Sequence, residues 1–158
     1  MAEQADLPGW QNTRWGMLAD EVAMAAGAER VQRTVRQSFQ RFYSDMKIPN
    51  VPIGQLAFDV IFQMDDQSHR LRQVLVLHQC DPSREPTEEA STTRAVLEER
   101  FGEPKKAEAR DTFLWVFPTT TIALDSFCIA GSMSAVGVRF FPTGDDPAGP
   151  AQPSDVRQ

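Results

Sequence analysis

Apolar residues recur along this chain with two periods, and the changes of period outline its elements. Leu56, Phe58, Val60, Phe62 and Met64 alternate with Ala57, Asp59, Ile61 and Gln63. That period of two predicts a strand with one buried face. Asp65-Asp66-Gln67-Ser68 is rich in turn formers, and Leu71 to Cys80 returns as a second strand, apolar on both faces around Val74-Leu75-Val76-Leu77. Together they predict an antiparallel hairpin. Three more strands are expected at Phe113–Phe117, Thr120–Cys128 and Ser134–Phe141, the last with Val136, Val138 and Phe140 on one face. Turns at Pro118-Thr119 and Ala130-Gly131-Ser132 join them.

Elsewhere the period is helical. Leu18, Val22 and Ala26 share a face at a spacing of four, with Asp20 and Glu21 in the first turn and Gly27 at the end. Carboxylates suit a helix N-terminus, and glycine suits the left-handed residue that stops a helix. A longer helix is predicted from Glu88 to Phe101, with Thr87 as N-cap, a stripe of Ala90, Thr93, Leu97 and Phe101, and Gly102 and Pro104 as its stop. Residues 28–46 support two readings. Val31, Val35, Phe39, Phe42 and Met46 recur as one face of a helix, with Arg30, Arg33, Gln37 and Gln40 mainly opposite. An extended segment from Phe39 to Ile48 competes. The spacing favours helix to about Tyr43, followed by a stiff connection at Pro49 and Pro52 and, later, a charged link from Lys105 to Asp111.

The order of elements predicts an α+β protein. Its expected architecture is an antiparallel sheet of five to six strands with two to three helices packed on one face, and a tandem helix-plus-strands repeat is in view. Residues 1–12, with a Pro8-Gly9 turn, read as a flexible lead-in. A single domain then spans 13–142, divisible into halves 13–80 and 87–142. Residues 143–158 carry Gly144, Pro147, Gly149, Pro150 and Pro153 and few core formers, and read as a disordered tail.

Composition adds bounds. A chain of 158 residues with 41% hydrophobic residues and ten Phe supports one real core. A net charge of −6 makes nucleic acid a poor partner, because an acidic chain does not attract phosphate backbones at long range. The apolar runs are too short to span a bilayer as helices. The start, Met1-Ala2-Glu3-Gln4-Ala5-Asp6, has neither the basic nor the apolar region of a signal peptide. Two localisations stay open: cytoplasmic, or periplasmic or secreted with a signal removed and replaced by Met1. Cys80 and Cys128 are either a single disulfide, which would stabilise by about 4 kcal/mol, or two buried thiols.

The sequence offers little chemistry. His78-Gln79-Cys80-Asp81 places two ligand types on one strand face, but a metal site needs at least three protein ligands. No nucleophile elbow and no phosphate-binding glycine loop occurs. Asp65 and Asp66 read as a solvated turn. No catalytic residue, metal site or cofactor is expected. Arg30, Arg33, Arg36 and Arg41 form a basic cluster whose simplest reading is a solvated helix face. Trp10, Trp15 and Trp115 are the candidate binding residues, since an aromatic patch free of core duty marks a recognition surface. Of these, Trp15 and Trp115 suit the core and Trp10 is the informative one.

Gly16-Met17, Glu21-Val22 and Gly27 resemble the opening helix of the small bacterial envelope proteins of the BamE/SmpA-OmlA group, which shares a fold with β-lactamase inhibitor proteins. In that pattern Gly-Met precedes a helix that carries Gln-Val or Glu-Val and ends in Leu-Gly-x-Pro. Phe101-Gly102-Glu103-Pro104 is similar to the same ending. Leu18 stands where the pattern has a capping Thr or Ser, no Pro follows Gly27, and no lipid-attachment cysteine lies near the start. The resemblance implies a non-enzymatic protein-binding, inhibitor-like or scaffolding module of the cell envelope, peripherally associated, with another protein as its partner. The alternative is a small-ligand or lipid carrier with an apolar cavity between helices and sheet. An enzyme is the least favoured expectation.

Overall fold

The alternation of Leu56 to Met64 becomes strand β3 (Leu56–Asp65), whose Leu56, Phe58, Val60, Phe62 and Met64 are buried while the residues between are not. In chain order the remaining elements are α1 (Ala19–Ala26), β1 (Gln32–Phe39), β2 (Phe42–Ile53), β4 (Leu71–Gln79), α2 (Pro86–Phe101), β5 (Lys105–Lys106), β6 (Thr112–Val116), β7 (Thr120–Ser126) and β8 (Ala135–Pro142). The computed structural model describes residues 6–79, 86–107, 112–126 and 135–145.

All eight strands join one sheet in the order β1-β2-β3-β4-β8-β7-β6-β5, and every pairing is antiparallel. The expectation of five to six strands with two to three helices is therefore wrong. The described residues form eight strands and two helices. A helix followed by four antiparallel strands occurs twice along the chain, and β4 meets β8 where the two series join.

The error lies mainly in residues 28–46. The favoured helix is instead β1 and the start of β2, joined by a two-residue turn at Gln40-Arg41 with Phe39 opposite Phe42. Gln40 adopts the left-handed conformation, φ 54°, as tight hairpin turns require. The helical spacing was coincidental, for Val35 is 85% exposed whereas Phe42, Tyr43, Met46 and Ile48 are buried. Irregular pairing between Arg33 and Gln37 and between Tyr43 and Lys47 breaks the period of two that marks a strand. Pro49 and Pro52, expected in a connection, lie inside β2 beyond Lys47, the last residue that pairs with β1. There no described strand pairs with its β1-side edge, and a missing N–H is tolerated at such an edge. The charged link contributes β5, whose Lys105 and Lys106 pair with Leu114 and Phe113.

The two helices pack on the same sheet face. Val22 and Ala26 of α1 and Leu97 of α2 join one core cluster with Val60, Phe62, Val74, Val76, Ile122, Leu124, Val136 and Val138. These strand residues all have even numbers, so one parity of β3, β4, β7 and β8 faces the helices. α1 lacks a side-chain cap at Leu18. Instead the Glu21 carboxylate accepts from the Leu18 backbone N–H at 2.8 Å, which satisfies one of the donors left over at a helix start. Gly27 ends α1 at φ 104°.

Residues 6–12, expected as a flexible lead-in, are packed across the helix-bearing face. Trp10 is buried edge-on to Phe62, with ring centroids 5.8 Å apart. Asp6 accepts a hydrogen bond from the Thr119 backbone at 2.9 Å. Of the expected tail, Thr143 donates to the Phe117 carbonyl at 2.6 Å, and residues 146–158 lie outside the described residues. Cys80 and Cys128 also lie outside them. No helix among the described residues is long and apolar enough to cross a membrane.

Candidate functional site

With the even-numbered residues committed to the core, β3, β4, β7 and β8 turn their odd-numbered residues to the opposite face. Neither helix packs there. Ile61, Leu75 and Leu77 lie on it, since Ile61 is opposite Leu75 and the core residues alternate with them. Phe42 is opposite Asp65 and shares that face, where it is buried outside the main core cluster.

A groove of ≈ 400 Å³ opens at these residues. Phe42, Ile61, Leu75 and Leu77 supply its apolar lining. Gln37 and Ser38 from β1, Ser44 from β2 and Gln63 from β3 supply uncharged polar groups. None of its described lining residues is charged. Its volume falls in the usual range for small-molecule sites, roughly 300–1,000 Å³. The β1–β2 hairpin builds one side of it, so the groove exists only because residues 32–53 are strands.

A row of polar side chains runs from the groove across five strands. Thr112 on β6 donates to Asp125 Oδ1 on β7 at 2.7 Å. Arg139 Nε on β8 donates to Asp125 Oδ2 at 2.9 Å. Arg139 Nη1 reaches Gln73 Oε1 on β4 at 3.5 Å, and Gln73 Nε2 donates to Gln63 Oε1 on β3. Thr112, Asp125, Arg139 and Gln73 are all buried. Burying an ion pair is costly unless further hydrogen bonds support it, and Thr112 and Gln73 supply two such bonds here.

The chain matches no protein-family model, no curated protein and no solved structure.

None of the three tryptophans expected to mark a binding surface lines the groove. Trp10 and Trp115 are core residues, and Trp115 Nε1 donates to the Gly102 carbonyl at 2.7 Å. Trp15 is half-buried against the core and donates Nε1 to Thr120 Oγ1 at 2.9 Å. Each indole N–H of the latter two is thus used to hold elements together.

Several other titratable groups also serve the fold. His78 Nδ1 lies 2.9 Å from the Ala57 carbonyl and Nε2 lies 2.8 Å from Glu89 Oε2, which ties the start of α2 to β3 and β4. His69 Nδ1 pairs with the Tyr43 hydroxyl at 2.9 Å. Asp65 closes the β3–β4 turn: Oδ1 accepts from the backbone N–H groups of Ser68 and Gln67, and Oδ2 from Arg72 at 2.7 Å. Those bonds, the Ser68 bond first, hold its pKa down to about 2. Three of the four arginines expected on a helix face have separate partners. Arg30 donates to the Ala26 carbonyl at 2.7 Å, Arg33 lies 3.5 Å from Asp20, and Arg36 lies 3.6 Å from Asp45 and stacks on Tyr43. Among the described residues no three of His, Cys, Asp and Glu gather as a metal site.

Between α2 and the sheet a cavity of ≈ 70 Å³ is bordered by Leu97, Phe101, Val60, Val76 and Val138. It has room for about two waters and is far below the size of a lipid or cofactor site.

The groove and the polar row escaped sequence reading because both depend on strand register. A weak signal was present. Gln63, Gln73, Asp125 and Arg139 interrupt otherwise apolar runs at positions of one parity. Only the pairing of Ala123 with Arg139 and of Leu75 with Arg139 brings them into line.

Proposed function

We propose that this chain is a non-enzymatic protein-binding module, inhibitor-like or scaffolding, that holds its partner on the sheet face opposite the helices. The groove between β1 and β4 carries this reading. It combines an apolar lining with uncharged hydrogen-bonding groups, which is the make-up of the desolvated centre of many protein interfaces. The buried row from Thr112 to Gln63 adds rigidity to the same face, and rigid surfaces lose less entropy on binding. The histidines most suited to acid–base work are engaged with structural partners, which leaves a surface as the better-supported functional element. The resemblance to small envelope proteins favours a periplasmic or secreted setting.

A benzophenone amino acid placed at Leu77, in the groove, tests the reading against one placed at Met24, which is 76% exposed on α1. With the chain expressed in its own cell, irradiation is expected to capture a discrete partner from Leu77 and not from Met24. Equal capture from both positions, or none from Leu77, overturns the proposal. Fractionation of the same cells tests the envelope setting, and recovery of the chain in the cytoplasmic fraction alone would remove it.

A further inference from the structure

The polarity of the groove is set from neighbouring strands on the same face of the sheet. Arg139 only donates hydrogen bonds, and its Nε is taken up by Asp125 Oδ2. Arg139 Nη1 therefore meets the carbonyl oxygen of the Gln73 amide, as found at 3.5 Å. That turns the Gln73 NH2 group toward Gln63, and it donates to Gln63 Oε1. With its oxygen engaged, Gln63 keeps its Nε2 for the groove that it lines. Amide orientation is ordinarily ambiguous, but here the guanidinium fixes the sense of both amides in turn.

We propose that the groove binds an extended, uncharged stretch of a partner protein. A backbone carbonyl of that stretch accepts from Gln63 Nε2, while an adjacent aliphatic side chain rests on Ile61, Leu75 and Leu77. This deepens the reading of the groove as a protein-binding surface and rests on it. The occupant is uncharged because no described lining residue offers a countercharge, and desolvating an unpaired charge is costly. It is an extended peptide because such a chain presents carbonyls and side chains at short, regular intervals, matching a fixed donor beside an apolar floor. A groove of ≈ 400 Å³ accepts a few side chains, not a folded domain.

Two near-isosteric variants separate this from a structural role. Gln63→Glu retains an acceptor for Gln73 and puts a carboxylate oxygen where Nε2 stood. Gln73→Glu leaves every groove residue unchanged. Its new carboxylate accepts from Arg139 and has no NH2 to offer, so Gln63 must turn its own NH2 toward it and present Oε1 to the groove. The probe is a phage-displayed hexapeptide library built from uncharged residues and selected on the wild-type chain. Selected peptides are expected to shift the amide resonances of Ile61, Gln63, Leu75 and Leu77, and to bind either variant about tenfold more weakly with the melting temperature little changed. No enrichment over a Leu75→Glu control, or equal affinity for wild type and Gln63→Glu, overturns the proposal. Groove shifts that follow the concentration of the chain alone would make a second copy the occupant, and would equally overturn it. Partner capture at Leu77 without any peptide enrichment would leave the protein-binding reading standing and this one refuted. Peptide binding without capture would do the reverse.

Discussion

At the scale of single residues, side chains that look functional in the sequence are the ones the fold consumes. Asp65 is the clearest case. Three donors converge on its carboxylate and hold its pKa at about 2, against 3.8 for an unperturbed aspartate. Between those values the unfolded chain binds more protons than the folded one, so stability falls as pH falls. The contribution of Asp65 is complete above about pH 4 and is lost as the pH drops through about 2. Asp65→Asn cannot titrate. Urea unfolding at pH 7, 4, 3 and 2 is expected to show wild type losing stability over the last two steps more steeply than the variant, and parallel curves would refute this role. Tryptophan misled in the same way. A large indole in a polar lead-in suggests exposure, yet Trp10 covers Phe62 and Arg30 lies over its ring. Nothing local in residues 6–12 announces that contact, because its partner lies about fifty residues away in β3.

At the scale of elements, legibility followed regularity. β3, β4, β7 and β8 were readable because an unbroken alternation or apolar run signals a strand. α2 was readable through its stripe and its Gly102-Glu103-Pro104 stop, and begins at Pro86, a residue suited to a first turn. β1 and β2 were not, because bulges change the count of residues per pleat and an irregular strand can mimic helical spacing. Val35 and Leu97 mark the contrast. Both were read as the apolar stripe of a helix, but Val35 is 85% exposed and Leu97 is 3% exposed beneath α2. Leu97→Ala is expected to cost about 2–5 kcal/mol, the range for emptying a packed aliphatic site. Val35→Thr is expected to change stability by less than about 0.5 kcal/mol, as surface substitutions do. Chemical denaturation of the two variants checks both figures, and a large loss at Val35 would refute its surface role.

At the scale of the whole molecule, one sheet is asked to do two jobs. One side carries the core and both helices. The opposite side carries the polar row and the groove, and there the sequence held only a weak signal for a physical reason. A row across five strands is assembled from residues as far apart as Gln63 and Arg139, and only register aligns them. The strand count failed for a related reason, since each missed strand is irregular or only two residues long. The order of strands also leaves the molecule with two unequal rims. One is the two-residue β5, and the other is the eight-residue β1.

That long rim makes the irregular pairing between Arg33 and Gln37 more than a disturbance of pattern. A straight outer strand is a template on which other chains add, and unprotected rims of this kind seed aggregates. Here the ladder is broken midway along β1, and Arg33 and Arg36 stand within or beside the break, more than half exposed. The irregularity and the two charges together act as a guard against unwanted growth of the sheet. Replacing both arginines with valine is expected to leave the monomer folded but to shorten the time to turbidity on incubation at high concentration. Light scattering reads this directly, and unchanged solubility would show that the break alone is guard enough.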